Sequence, residues 1–186
     1  GGKSRAGLTI RAIINRGGDQ GAQHSQALHS WFMHIPGLRV VMPFSPKDAR
    51  DLLIAAVLSP DPVLYIDDRW LYETEEEMEP ATPLKLTEFT PQVILQGSDL
   101  TIVSAGHSTK IALEVSKILA KKNLVAECID LRVLNPLNVE VIIESVIKTG
   151  RLVVIDGGWA PAGLSSEIIA AISERIESSR IKSRPI

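Results

Sequence analysis

Three common resources are scarce in this chain. Of its 186 residues only one, Cys128, is a cysteine. An internal disulfide framework is therefore excluded, and the single thiol fits a reducing compartment. Aromatic residues make up only 4%, so Val, Ile, Leu and Ala must fill the interior. Positive charge is not in excess either: 20 Lys and Arg face 22 Asp and Glu, a net charge of -2. No bulk positive field is available to displace counterions from phosphate, so no nucleic-acid partner is expected. No apolar run approaches the ~20 residues that cross a bilayer, no signal pattern opens the chain, and no membrane partner is expected. What is present is 45% hydrophobic and 23% charged residues, a balance that packs a core and excludes disorder. The expectation is a soluble intracellular α/β protein with one ordinary domain or two small ones.

Apolar runs of strand length alternate with helical patterns, the mark of mainly parallel sheets covered by helices. Residues 9–15 read as a strand, followed by a glycine-rich loop at 16–23. His24, Leu28, Trp31, Phe32 and Ile35 then fall on one helical face, ended by Pro36-Gly37. Residues 38–42 read as the next strand. A second helix opens on Ser45 as cap, with Pro46 in the first turn and Asp48 able to reach back. Its expected buried stripe is Ala49, Leu52, Leu53, Ala56 and Val57, and a strand at 63–66 follows. Five glutamates fall within residues 73–79. With Pro80 and Pro83 they read as a linker over 73–90, an exposed helical turn being the alternative. This divides the chain into 1–72, the linker, and a second α/β unit at 91–186. That unit shows strands at 100–104, 125–129 and 152–155. Its helices are striped by Ile111, Val115, Ile118 and Leu119, then by Val139, Ile142, Ile143, Val146 and Ile147 behind an Asn138 cap. The last helix is striped by Leu164, Ile168, Ile172 and Ile176.

The candidate site is the strand-to-helix turn Gly21-Ala22-Gln23-His24-Ser25-Gln26, because α/β sheets bind ligands beyond the carboxyl ends of their strands. With His24 at a helix N-terminus, the dipole would disfavour the imidazolium and keep a neutral ring able to donate to an oxyanion or accept a proton. The alternative reads His24 as a partly buried residue opening an apolar face. His29 and His34 lie five apart, off the spacing of a metal pair on a helix. His107 reads as a turn residue among Ser104, Gly106 and Ser108. Gly157-Gly158-Trp159 reads as a turn whose glycines permit an unusual backbone path, with Trp159 in core or interface.

Taken in order, Ala22-Gln23-His24-Ser25-Gln26, Pro36-Gly37-Leu38-Arg39-Val40-Val41-Met42-Pro43, Asp48-Ala49-Arg50, Pro62-Val63-Leu64-Tyr65 and Leu71-Tyr72 resemble the pyrimidine-binding domain of transketolase-like enzymes. Asp130-Leu131-Arg132, Asn135-Pro136-Leu137, Glu144-Ser145-Val146, Lys148-Thr149-Gly150 and Gly157-Gly158-Trp159 with Glu167-Ile168 are similar to the transketolase C-terminal domain. The subgroup resembled is the beta subunit of thiamine-diphosphate-dependent 2-oxo acid dehydrogenases of the pyruvate or branched-chain type.

The resemblance implies a fold of class α/β, the later part of a pyrimidine-binding domain followed by a transketolase C-terminal domain. It assigns His24 to the active site as the catalytic residue that handles substrate and acyl group, with Gln23 and Ser25 positioning the substrate loop. It implies oxidative decarboxylation of a 2-oxo acid with acyl transfer to lipoyl. Thiamine diphosphate and magnesium would be held mainly by a partner. The family's activating glutamate lies upstream of anything here, so Gly1-Gly2-Lys3 is expected to enter inside the domain and this chain to be inactive alone. Implied partners are an alpha subunit, a second beta subunit completing a heterotetramer, and a dihydrolipoyl acyltransferase core. The loop before His24 is shorter than usual in the pyruvate subgroup, which leaves the acid unassigned. Some relatives hold a structural potassium; the corresponding positions are Ile13, Ala56, Val57 and Asp61, with Ser59 where aspartate is common. The implied location is cytoplasmic, the mitochondrial matrix being the alternative. Two other readings stay open: a transketolase or deoxyxylulose-phosphate-synthase relative, for which Arg16 is the one loop cation, and a non-catalytic assembly subunit.

Overall fold

The structure, a computed structural model, describes residues 6–15 and 21–186. The first half runs β1 (Thr9–Ile14), α1 (His29–Met33), β2 (Arg39–Val41), α2 (Pro46–Val57) and β3 (Val63–Asp68). The second runs β4 (Gln92–Leu95), β5 (Leu100–Ser104), α3 (His107–Ala120), β6 (Ala126–Asp130), β7 (Val133–Asn135), α4 (Glu140–Thr149), β8 (Leu152–Ile155) and α5 (Leu164–Arg175). Two four-stranded sheets result, in the orders β1-β3-β2-β7 and β4-β6-β5-β8. Strands β1, β2 and β3 are parallel, as are β5, β6 and β8, while β7 and β4 add antiparallel edges. The expected mainly parallel α/β architecture is therefore observed. Every residue of β3 is buried, as a central parallel strand covered on both faces requires.

The two sheets share one apolar core. Ile14, Val40, Leu64 and Ile66 of the first pack in the same cluster as Val103, Ile129, Leu152 and Ile168 of the second half. Burying each such side chain contributes about 1.5–3 kcal/mol. Strand β7 continues this continuity, since it follows β6 in sequence yet pairs with β2. After the turn at Tyr72 and Glu73, residues 74–85 form neither helix nor strand. The acidic run lies along α2, where the Lys47 amide donates to Glu76 Oε2 at 3.0 Å.

Several expected stripes are rotated. On α2 the Ser45 cap forms, its Oγ accepting from the Asp48 amide at 3.1 Å. Its buried face is Asp48, Asp51, Leu52, Ala55 and Ala56, while Val57 is 66% exposed and Leu53 also faces outward. Charge pairing accounts for the buried acids: Asp51 takes Lys47 and Arg50, and Asp48 takes Arg132. On α3 the buried residues are Ser108, Thr109, Ala112 and Ser116, with Ile111 and Ile118 outside. Small side chains let this helix lie close to β6, where Thr109 Oγ1 donates to Asp130 Oδ1 and Cys128 Sγ to the Ala112 carbonyl. Burial pushes the Cys128 thiol upward, which leaves it unreactive. His107 is the first residue of α3, not a turn residue. The last helix buries Leu164, Ile168 and Ile172, with Ile176 just beyond, on the face expected.

Candidate active site

The helix expected to begin at His24 does not. Gly21, at φ 76°, leads into a 3₁₀ turn at Ala22–His24, and the α-helix starts only at His29. The phase of the stripe is lost with it: Trp31 is 69% exposed and His29 is 1% exposed. His24 is exposed on a three-residue turn, so the helix-dipole argument for a neutral ring does not apply. Its amide donates to the Gly21 carbonyl at 3.3 Å, and its carbonyl accepts from Arg69 Nη1 at 3.5 Å. Arg69 opens a 3₁₀ turn after β3, so both residues stand beyond the carboxyl ends of adjacent parallel strands.

Between them lies a cavity of about 430 Å³. Ile14, Phe32, Leu64 and Ile66 make an apolar wall, and Gln23, His24, Gln26 and Arg69 a polar rim. Of the expected site residues, Gln23 and His24 line it together, while Ser25 follows the turn outside the lining. Residues 16–20, including Arg16, lie outside the described residues.

The four positions named for potassium fall on β1, on the last turn of α2 and just before β3. Thr9 Oγ1 donates to the Ala56 carbonyl at 2.9 Å. Ile13 stands four residues along the same strand, opposite Asp67, roughly 13 Å away at strand rise. Asp61 is paired with Arg39 at 2.8 Å. Among the described residues no group of three His, Cys, Asp or Glu side chains could hold a metal ion.

The structure adds residues that periodicity did not reveal. Asp68, at the end of β3, is a buried hub: it accepts from Asn15 Nδ2 at 2.7 Å, the His107 amide at 3.1 Å and the Trp70 amide at 3.1 Å. Asn15 reaches it from a left-handed turn at φ 63°, a conformation asparagine tolerates. His29 Nε2 meets Asp156 Oδ1 at 2.9 Å across 127 residues. Burial pushes the Asp156 carboxyl up, but hydrogen bonds from His29 and the Gly158 and Ser165 amides outweigh it and hold the group below the usual range. The neighbouring glycines, Gly157 and Gly158, were expected to permit an unusual backbone path, and neither has a positive φ. Gly158 lies close to the His29 ring: a Cβ there would sit 3.0 Å from His29 Cε1. Trp159 is 80% exposed. At the end of β6, Asp130 is fully enclosed, and burial reinforced by the Asp48 charge pushes its carboxyl up to about 7. One signal for these groups was in view: apolar runs ending in Asp68, Asp130 and Asp156 place a carboxylate at the carboxyl ends of three parallel strands.

Residues 1–74 match the family described as Transketolase, pyrimidine binding domain, and residues 91–182 match Transketolase, C-terminal domain. The chain is similar to the acetoin:2,6-dichlorophenolindophenol oxidoreductase subunit beta of Cupriavidus necator, at 39% identity over 94% of this chain and 52% of that protein. It is also similar to the pyruvate dehydrogenase E1 component subunit beta of Rickettsia bellii, at 38% over 92% of this chain and 53% of that one. The mitochondrial 2-oxoisovalerate dehydrogenase subunit beta 2 of Arabidopsis thaliana is 36% identical over 91% of this chain and 47% of its own length. The chain thus spans about half the length of the curated relatives it matches. Among solved structures, a split-gene transketolase, an inactive beta4 tetramer, matches with a TM-score of 0.78 at 24% identity, over 97% of this chain and 56% of that one; this likeness shows the fold.

Proposed function

Because the chain belongs to the transketolase-like family, with its pyrimidine-binding domain at residues 1–74 and its C-terminal domain at 91–182, we propose that it works in the beta subunit of a thiamine-diphosphate-dependent 2-oxo acid dehydrogenase. The observation that carries this reading is the cavity itself. An exposed imidazole, His24, stands on the rim of about 430 Å³ of space at the carboxyl ends of parallel strands. Relatives 38% and 36% identical to this chain bear the names of pyruvate and 2-oxoisovalerate dehydrogenase beta subunits.

The residues fit the implied cofactor. A cavity of this size suits a small heteroaromatic group, which Ile14, Phe32 and Leu64 would hold, with Gln23 and Gln26 offering polar groups at the rim. When bound, thiamine diphosphate supplies the electron sink for cleaving a bond beside a carbonyl. His24 then hydrogen-bonds the oxygen that gains charge, or holds the proton that must move. Gln23 and Ser25 fix the turn that presents it, and the apolar wall keeps water from the reacting side. Magnesium and the diphosphate are assigned to the alpha subunit. Exposed aromatic residues such as Trp31 and Trp159 support contacts with an alpha subunit, a second beta subunit and an acyltransferase core.

The test is reconstitution. The full-length protein, its alpha partner and the mixture are assayed with thiamine diphosphate, magnesium and, in turn, pyruvate, branched-chain 2-oxo acids and acetoin. Turnover of pyruvate or a branched-chain 2-oxo acid by the mixture, and by neither part alone, is the expected result, and turnover of acetoin alone contradicts the reading. A mixture inert toward all of them contradicts the reading.

A further inference from the structure

Helix α1 has five residues and no side-chain cap at its start. So short a helix does not hold its own shape in water, and its place is set by what it bonds to. Two anchors are present. Ser30 Oγ accepts from the Leu164 amide at 3.0 Å, and His29 Nε2 meets Asp156 Oδ1 at 2.9 Å. Both partners belong to the segment that leaves β8 and opens α5. The Asp156 carboxylate is itself fixed, because it also accepts from the Gly158 amide at 2.9 Å and the Ser165 amide at 3.2 Å. An ionised acceptor with two backbone donors takes its third bond from an N–H, so Nε2 is the protonated nitrogen of His29. Nδ1 is buried without a hydrogen-bond partner among the described residues. His29 also lines the cavity that His24 rims, and only residues 25–28 separate the two.

We propose that His29 and Asp156 are positioning residues of the His24 site: the bond between them holds α1, and with it the Ala22–His24 turn, against the cavity. The inference deepens the proposed function and rests on it for its activity readout only. A directional bond suits this task better than apolar contact. Contact resists separation, whereas a charge-assisted hydrogen bond also fixes the rotation of the helix about its axis. The pair thereby couples the loop after β8 to the turn beyond β1, two segments on different sheets.

The test uses the full-length protein with its alpha partner and two substitutions of similar volume. His29→Gln keeps an N–H donor near the Nε2 position, and His29→Leu removes it. The leucine variant is expected to lose kcat by at least about tenfold, the scale of a misplaced catalytic group, with KM changed less than about threefold. The glutamine variant is expected to recover to within about threefold of the parent. A second readout needs no turnover: the ¹⁵N–¹H imidazole signals of His24 should move in the leucine variant and return in the glutamine variant. Leucine and parent proteins alike in both readouts would overturn the proposal, as would a folded glutamine variant as impaired as the leucine one. Should the leucine variant not fold, Asp156→Asn decides, a displaced His24 signal supporting the proposal and an unmoved one overturning it. If the parent assembly turns over no 2-oxo acid, the functional reading fails while the His24 spectrum still decides the positioning role.

Discussion

A carboxyl group whose burial outweighs its partners pulls stability down as it ionises, and Asp130 is such a group. Thr109 Oγ1 donates to its Oδ1 at 3.1 Å, the Arg132 backbone and charge also favour the ionised form, and among the described residues Oδ2 has no hydrogen-bond partner. Burial and the nearby Asp48 push it up to about 7 from an ordinary 3.8. The folded state therefore keeps its proton over a range in which the unfolded chain has lost it. The associated stability is complete below about pH 4 and is lost as pH rises through 7. Asp156 acts with the opposite sign: its depressed carboxyl adds stability above the unfolded value, lost only in acid. Urea unfolding of the Asp130→Asn variant and the parent should separate the two. The variant is expected to gain on the parent by more than about 1 kcal/mol between pH 5 and pH 8, since each unit of displacement corresponds to roughly 1.4 kcal/mol. An equal pH response in both proteins would refute the assignment.

Loops at strand ends carry most of the local constraint. Gly158 lies against the His29 ring, where an added Cβ would come 3.0 Å from Cε1 and 3.2 Å from Asp156 Oδ1. Gly158→Ala is expected to destabilise the protein by about 1–3 kcal/mol, the usual cost of overpacking, read as a lowered urea midpoint. An unchanged midpoint would mean the loop yields freely. These same elements show what the amino-acid order discloses and what it hides. The Ser45-Pro46 start of α2 and the Leu164, Ile168, Ile172 stripe of α5 were legible, because capping and a clean apolar period are local properties. Strand β4 was not among the expected strands, since only four residues form it and its end positions are exposed. Helix α1 was misphased because a glycine at φ 76° breaks the path before it, and no period reports such a break. Gln23 and His24 could be found from their motif. The His29–Asp156 pair could not, as its members stand 127 residues apart and meet only in the folded chain.

In the assembled chain both sheets turn the carboxyl ends of their parallel strands toward one polar seam. Asp68 ties β3 to the start of α3, Asp156 ties β8 to α1, and Arg132 ties the segment after β6 to Asp48 of α2 and to the Thr90 carbonyl. The His24 cavity opens beside that seam, formed by the first sheet and stabilised by the second. Substrate chemistry at His24 is the claim on which the rest depends. It is tested most directly by assembling full-length His24→Ala protein with its alpha partner and measuring the rate of acyl transfer from the accepted 2-oxo acid to a lipoyl group. The account predicts a loss of at least about tenfold, as befits a positioned acid-base group, with assembly intact; transfer at the parent rate would contradict it.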